Sequence, residues 1–128
     1  MKIDILTLCD FAKDYAGKLT IIGIFDHYTV KKGPLPKSTF YLVAKVILNS
    51  EENKQEKEFT TKVIDMSTEK PLFGLSGKIN PTPSDERSSS NFIFEFSDFQ
   101  FPSEGDYKFS FKIGDIENSV FLKVHFQE

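Results

Sequence analysis

The chain has 128 residues, enough for one domain that removes about two-thirds of its unfolded surface from water. Charged residues make up 27% and the formal net charge is −3, which argues against a surface built to neutralise a polyanion. Fourteen Phe, no Trp and one cysteine point to an aromatic core and exclude both an internal disulfide and a thiolate metal cluster within one chain.

The opening segment, Met1 to Asp10, is broken by Asp4 and lacks the uninterrupted apolar run of a signal peptide. No window approaches the ~18 apolar residues needed to span a bilayer. Together with the lone Cys9, this makes the cytoplasm the expected location. Residues 2–9 alternate as a first strand, with Ile3, Ile5 and Thr7 on one face and Asp4, Leu6 and Leu8 on the other. A helix over 9–16 competes through the i, i+4 pair Phe11 and Tyr15, but no Ser or Asn caps it. Asp14 to Lys18 reads as a hairpin connection with Gly17 at positive φ, and Leu19 to Phe25 as the second strand. Gly23 inside that strand marks a bulge or a close backbone approach.

Residues 27–38 contain Gly33, Pro34 and Pro36 and are expected to form a loop. Thr39 to Leu48 is the third strand, apolar on both faces at its start; Asn49 to Gln55 is a polar hairpin tip. Strands follow at about Lys57 to Met66 and Pro71 to Ile79. Residues 80–90, with two Pro and four Ser, are the most disorder-prone stretch, and Ser88-Ser89-Ser90 reads as linker.

Three alternating blocks close the chain: Phe92, Phe94 and Phe96; Tyr107, Phe109, Phe111 and Ile113; Val120, Leu122, Val124 and Phe126. They form a meander or part of a Greek key with an aromatic wall against the core. The whole pattern predicts an all-β fold over 1–128, a single-domain antiparallel β-sandwich of about seven to eight strands. Phe101-Pro102 followed by Gly105-Asp106-Tyr107 resembles the tyrosine corner of immunoglobulin-like sandwiches, in which the hydroxyl bonds to upstream backbone. A closed β-barrel is the alternative that binary pattern leaves open.

Cys9-Asp10-Phe11-Ala12, then Gly17-Lys18-Leu19 and Gly23-Ile24-Phe25, resembles the opening of a bacterial family of small proteins classed as a domain of unknown function. The resemblance covers roughly residues 5–48, and loosely the Pro102 to Tyr107 segment. It implies an all-β fold and a cytoplasmic bacterial origin, and brings no activity, cofactor or catalytic residue.

The residues themselves lead to the same place. Only His27 and His125 are available as imidazole ligands, fewer than a cupin-like metal site requires, so both are expected at the surface. Cys9 shares parity with Ile3 and Ile5 and is expected to pack as a small hydrophobe. No Ser lies in a nucleophile elbow. Asp10, Asp14, Glu51, Glu52, Asp85, Glu86, Asp115 and Glu117 would gather at one end of an up-and-down sandwich, but no run has the spacing of a calcium loop. In Phe109-Ser110-Phe111-Lys112 the rings share one face and the polar groups the other, which fits core and solvent better than a base-stacking platform. Tyr15, Tyr28 and Tyr41 are the available stacking residues for a carbohydrate.

The expectation is therefore a non-enzymatic binding or structural module in a protein assembly, without cofactor. A calcium- or carbohydrate-binding sandwich is the alternative, and a small enzyme comes third. Contact with a partner protein is expected through Tyr28, Lys31, Lys32 and Lys37, or through self-association of sheet edges.

Overall fold

The computed structural model describes residues 1–31, 38–81 and 85–127. Nine strands occupy them: β1 (Lys2–Tyr15), β2 (Lys18–Phe25), β3 (His27–Val30), β4 (Ser38–Leu48), β5 (Lys57–Asp65), β6 (Lys70–Ile79), β7 (Ser88–Phe99), β8 (Gly105–Ile113) and β9 (Ile116–Phe126). One sheet has the order β2-β1-β4-β7 and the other β3-β9-β8-β5-β6. Neither closes on itself, so the fold is a β-sandwich and not a barrel.

The alternating rows fill the space between the sheets. From β4 come Phe40, Leu42, Ala44, Val46 and Leu48, and from β8 Tyr107, Phe109, Phe111 and Ile113, all fully buried. Phe92 and Phe96 of β7 and Leu122 and Val124 of β9 complete the two facing walls. The chain changes sheet between β2 and β3, β3 and β4, β4 and β5, β6 and β7, and β7 and β8, so the last three strands belong to a Greek key and not to a meander.

Tyr107 makes the corner expected of it. Its hydroxyl donates to the Ser103 carbonyl at 2.5 Å and accepts from the Ser103 amide at 3.3 Å. Its ring meets Phe101 at 4.9 Å between centroids. A buried phenol thus keeps its polar tip satisfied while tying the β7–β8 crossing to the core.

Four local expectations change. The first strand runs on to Tyr15, past the expected end at Cys9, since β1–β2 pairing interrupted at Asp10 and Gly23 resumes at Phe11↔Ile22 and reaches Tyr15↔Lys18; the competing helix over 9–16 does not form. Within the expected loop 27–38, His27–Val30 is a strand lying parallel to the end of β9. Tyr28 and Val30 alternate inward there, a pattern that the downstream Gly and Pro obscure. Asn49 to Gln55 is no hairpin tip; it carries a 3-10 turn at Glu52–Lys54 and crosses between sheets. Ser88-Ser89-Ser90 is the start of β7, paired with Leu48, Ile47 and Val46, because backbone pairing is indifferent to the polar side chains it carries.

The first strand also breaks its own parity. The β1–β4 register shifts between Ile3 and Ile5, so Ile3 packs into the sandwich beside Ala44 and Phe111. Cys9 instead faces outward from its sheet and is buried there with Ala12 and Val43. Burial came out as expected for Cys9, but on the opposite side from Ile3.

Candidate functional site

What covers Cys9 is the far half of the β1–β2 hairpin. Ala12, Leu19 and Ile21 from that half pack on Cys9, Val43 and Ile93. Near its tip, Asn91 Nδ2 of β7 donates to Asp14 Oδ2 at 3.2 Å, although β7 lies two strands away from β1. The ribbon therefore bends and lies across the outer face of its own sheet. This explains why β4 is apolar on both faces.

The bend falls at the opposed residues Asp10 and Gly23. Gly23 has φ +71°, and a Cβ placed there would meet the exposed Asp10 carboxylate, which can turn aside. The left-handed backbone is what favours glycine here. The tip closes as a two-residue turn with Ala16 at φ 50° and Gly17 at φ 82°, as the hairpin reading of this segment requires. Asp14 Oδ1 accepts the Gly17 amide at 2.7 Å. Gly23→Ala is expected to destabilise the protein by about 1–2 kcal/mol through the left-handed backbone alone. Hydrogen exchange should show the loss first at ribbon amides, with Leu42 and Phe109 still protected; uniform loss across both sheets would contradict a local bend.

Folding the ribbon down leaves its other face in water. Phe11 (42% exposed), Ile22 (57%) and Ile24 (67%) stand on it, with Phe121 of β9 (56%) nearby. Phe11 and Ile22 are cross-strand partners, and Ile24 pairs with Cys9 two residues away. Ile24 and Phe121 line one shallow cleft of about 220 Å³ between β2 and β9. These four side chains expose about 400 Å² of apolar surface, in the range where the largest patch on a monomer is often functional. Strand β2 is also a sheet edge. Charge flanks the patch: Lys13 and Lys18 at the ribbon tip, with the Lys13 ammonium 4.5 Å from the Tyr15 ring centroid, and an exposed Asp26 at the base, 3.8 Å from His27 Nε2.

The residues singled out by sequence are distributed differently. Tyr28 packs its ring on Phe25, Phe40 and Phe101, so it contributes mainly to the core. Lys31 is exposed, while Lys32 and Lys37 lie outside the described residues. Tyr15 and Tyr41 are on the ribbon side of the molecule, away from Tyr28; Tyr41 meets Phe11 edge-on at 5.7 Å and donates its hydroxyl to Glu95 at 3.2 Å. His27 and His125 come together through the parallel β3–β9 pairing, stacked at 6.0 Å and solvent-facing.

Three of the four acidic loops do converge at one end. Lys54 bridges to Asp85 at 3.5 Å, Glu52 meets the Met1 ammonium at 2.9 Å, and Gly114 lies against the Met1 side chain. The Asn49 amide, and then the Met1 ammonium, hold the Glu52 carboxyl below its usual range. Among the described residues no three His, Cys, Asp or Glu side chains are placed to hold one metal ion. Burial, foremost, pushes the Cys9 thiol up from its ordinary value. Among the described residues, no helix is long and apolar enough to cross a membrane.

Side-chain alternation does not reveal the exposed patch, because it assigns each residue to a face of a flat strand. The legible signal was Gly23, which already indicated a bulge or close approach.

The sequence profile of a family described as "Family of unknown function (DUF6941)" matches residues 4–125 of the chain. No curated protein matches it.

Proposed function

We propose that this chain, which belongs to the family of unknown function DUF6941, is a non-enzymatic structural module that assembles with a second copy of itself through the β1–β2 ribbon. The observation that carries this reading is the exposed apolar set Phe11, Ile22 and Ile24 on the ribbon, with Phe121 of β9 beside Ile24 across a shallow cleft. Two such patches face to face remove about 800 Å² of apolar surface, and with their rims they reach the ~1,200 Å² at which specific interfaces begin. A two-fold axis through the patch makes it self-complementary: the Lys13 and Lys18 tip of one copy approaches Asp26 at the base of the other.

Three features favour a non-catalytic role. The histidines face solvent, the thiol is buried with its pKa raised, and no Ser stands in a nucleophile elbow. The setting we propose is the bacterial cytoplasm, where an unpaired Cys9 is unremarkable. The immunoglobulin-like description is supported by the tyrosine corner and by β3 running parallel to the last strand at the sheet edge. A calcium-binding role draws support from the acidic end, but Lys54 and the Met1 ammonium already neutralise two of its carboxylates.

Sedimentation equilibrium from micromolar to millimolar protein tests the reading. The mass should climb from 14.6 kDa towards twice that value. An Ile22→Glu, Ile24→Glu variant should hold at 14.6 kDa while losing no more than about 0.5 kcal/mol of stability per exposed site. A native chain that stays monomeric throughout removes the proposal.

A further inference from the structure

On the side of the sandwich away from β2, the edge strands β6 and β7 face each other across a cleft of about 670 Å³. Its apolar lining includes Leu72, Phe73, Phe96 and Phe99, and its polar rim carries Glu95 and Asp98. Phe73 closes edge-on over Phe96 at 5.2 Å, and Phe99 does the same at 5.5 Å. An aromatic floor with a few polar groups in a volume of several hundred Å³ is the ordinary composition of a ligand cleft.

The edge beside the cleft is irregular. Pairing between β4 and β7 shifts between Phe40↔Phe96 and Ser38↔Phe99. Within that irregularity Asp98 holds φ +55°, a conformation that costs a non-glycine residue about 1 kcal/mol or more and that clusters at functional edges.

We infer that this cleft binds an extended peptide segment of a partner protein in which apolar and basic residues alternate. The segment adds as a strand to the edge of β7, which among the described residues pairs only with β4. Side chains alternate across a strand. Glu95 lies on the outer face, where Tyr41 donates to it, and Phe96 lies on the inner face, stacked on Phe40 at 5.1 Å. A partner residue opposite Phe96 therefore enters the aromatic floor, and its sequence neighbour meets Glu95. The two carboxylates, Glu95 and Asp98, select Lys or Arg at the flanking positions. The cleft itself is lined by residues of β6, β7 and the β7–β8 crossing and by none of the ribbon.

Titrating the isotope-labelled full chain with acetyl-Lys-Phe-Lys-Leu-Lys-amide, followed by backbone amide NMR, tests the inference. Shifts should concentrate at Leu72–Phe73 and Glu95–Phe99. The isosteric variant Glu95→Gln, Asp98→Asn should weaken binding about tenfold, equivalent to about 1.4 kcal/mol, and the matching acidic peptide, with Glu for each Lys, should not bind. The inference is overturned by no shift at millimolar peptide, by shifts centred on residues 49–56 or 85–87, or by equal affinity for the charge-neutralised variant.

Discussion

Phe40→Ala is expected to cost about 3–5 kcal/mol of folding stability, the range for removing a fully buried aromatic ring and leaving a cavity. Phe40 sits at 0% exposure where the two sheets meet, and its ring lies within 6.2 Å of the rings of Phe25, Tyr28, Phe96, Phe99, Phe101 and Phe109. Those neighbours come from both sheets and from the crossing between β7 and β8, so they cannot collapse together into the vacated space. Such a loss is a large part of the 5–15 kcal/mol that typically holds a domain folded. Phe40→Leu, which keeps much of the volume, should cost roughly 1.5 kcal/mol and gives a measurable midpoint if the alanine variant does not fold. Urea unfolding at constant m-value is the measurement. A Phe40→Ala loss below that of Phe40→Leu would mean the ring is not the centre of the core.

Most of the fold was legible in side-chain alternation, and its failures have one physical origin. Alternation reports faces, so it identified Tyr107, Phe109 and Phe111 as a single inward row, and all three are fully buried. It cannot report which strands pair. It therefore leaves a meander and part of a Greek key equally open for the last three blocks, and pairing decides for the second: β8 pairs with β9, but β7 pairs with β4 in the other sheet. A register shift near Asp4 then reversed the face of Ile3 relative to Cys9, and no composition signal marks a one-residue slip. Short parallel β3 was hidden because four residues give only two inward positions, Tyr28 and Val30.

The candidate surfaces were less legible for a related reason. Lysine-rich loops attract attention in a sequence, and Lys31 is indeed exposed, but an apolar strand residue looks like core until the covering element is known. Phe11, Ile22 and Ile24 became surface because Gly23 lets the ribbon bend and present Ala12, Leu19 and Ile21 to the sheet instead. That choice depends on contacts between β1–β2 and β7, far apart in sequence. The β6–β7 cleft likewise joins residues more than twenty positions apart across two sheets.

Asn53 illustrates a residue whose importance only three dimensions disclose, and Asn53→Ala is expected to cost about 2–3 kcal/mol, the sum of lost hydrogen bonds and the exposure of their buried partners to no alternative. Its side chain is fully buried at the crossing from β4 to β5. The amide donates to the Glu86 carbonyl at 2.8 Å, and its oxygen accepts a short bond from the Ser88 hydroxyl. Just before it, Asn49 and Glu52 exchange reciprocal bonds of 2.9 Å, so the turn presents Asn53 in a fixed orientation. One side chain thus links the β4–β5 crossing to the start of β7, whose serines have little apolar surface of their own to anchor them. Alanine removes the donor and the acceptor together, whereas Asn53→Asp keeps the acceptor for Ser88 and removes only the donor to Glu86. Because the site is fully buried, the aspartate variant sets an unpaired carboxylate oxygen against the Glu86 carbonyl and should lose more than the alanine one at neutral pH. Urea unfolding combined with amide exchange at Ser88–Asn91 separates the two. An Asn53→Ala loss under about 0.5 kcal/mol, the level of an uninvolved surface site, would show that β7 starts without this clamp.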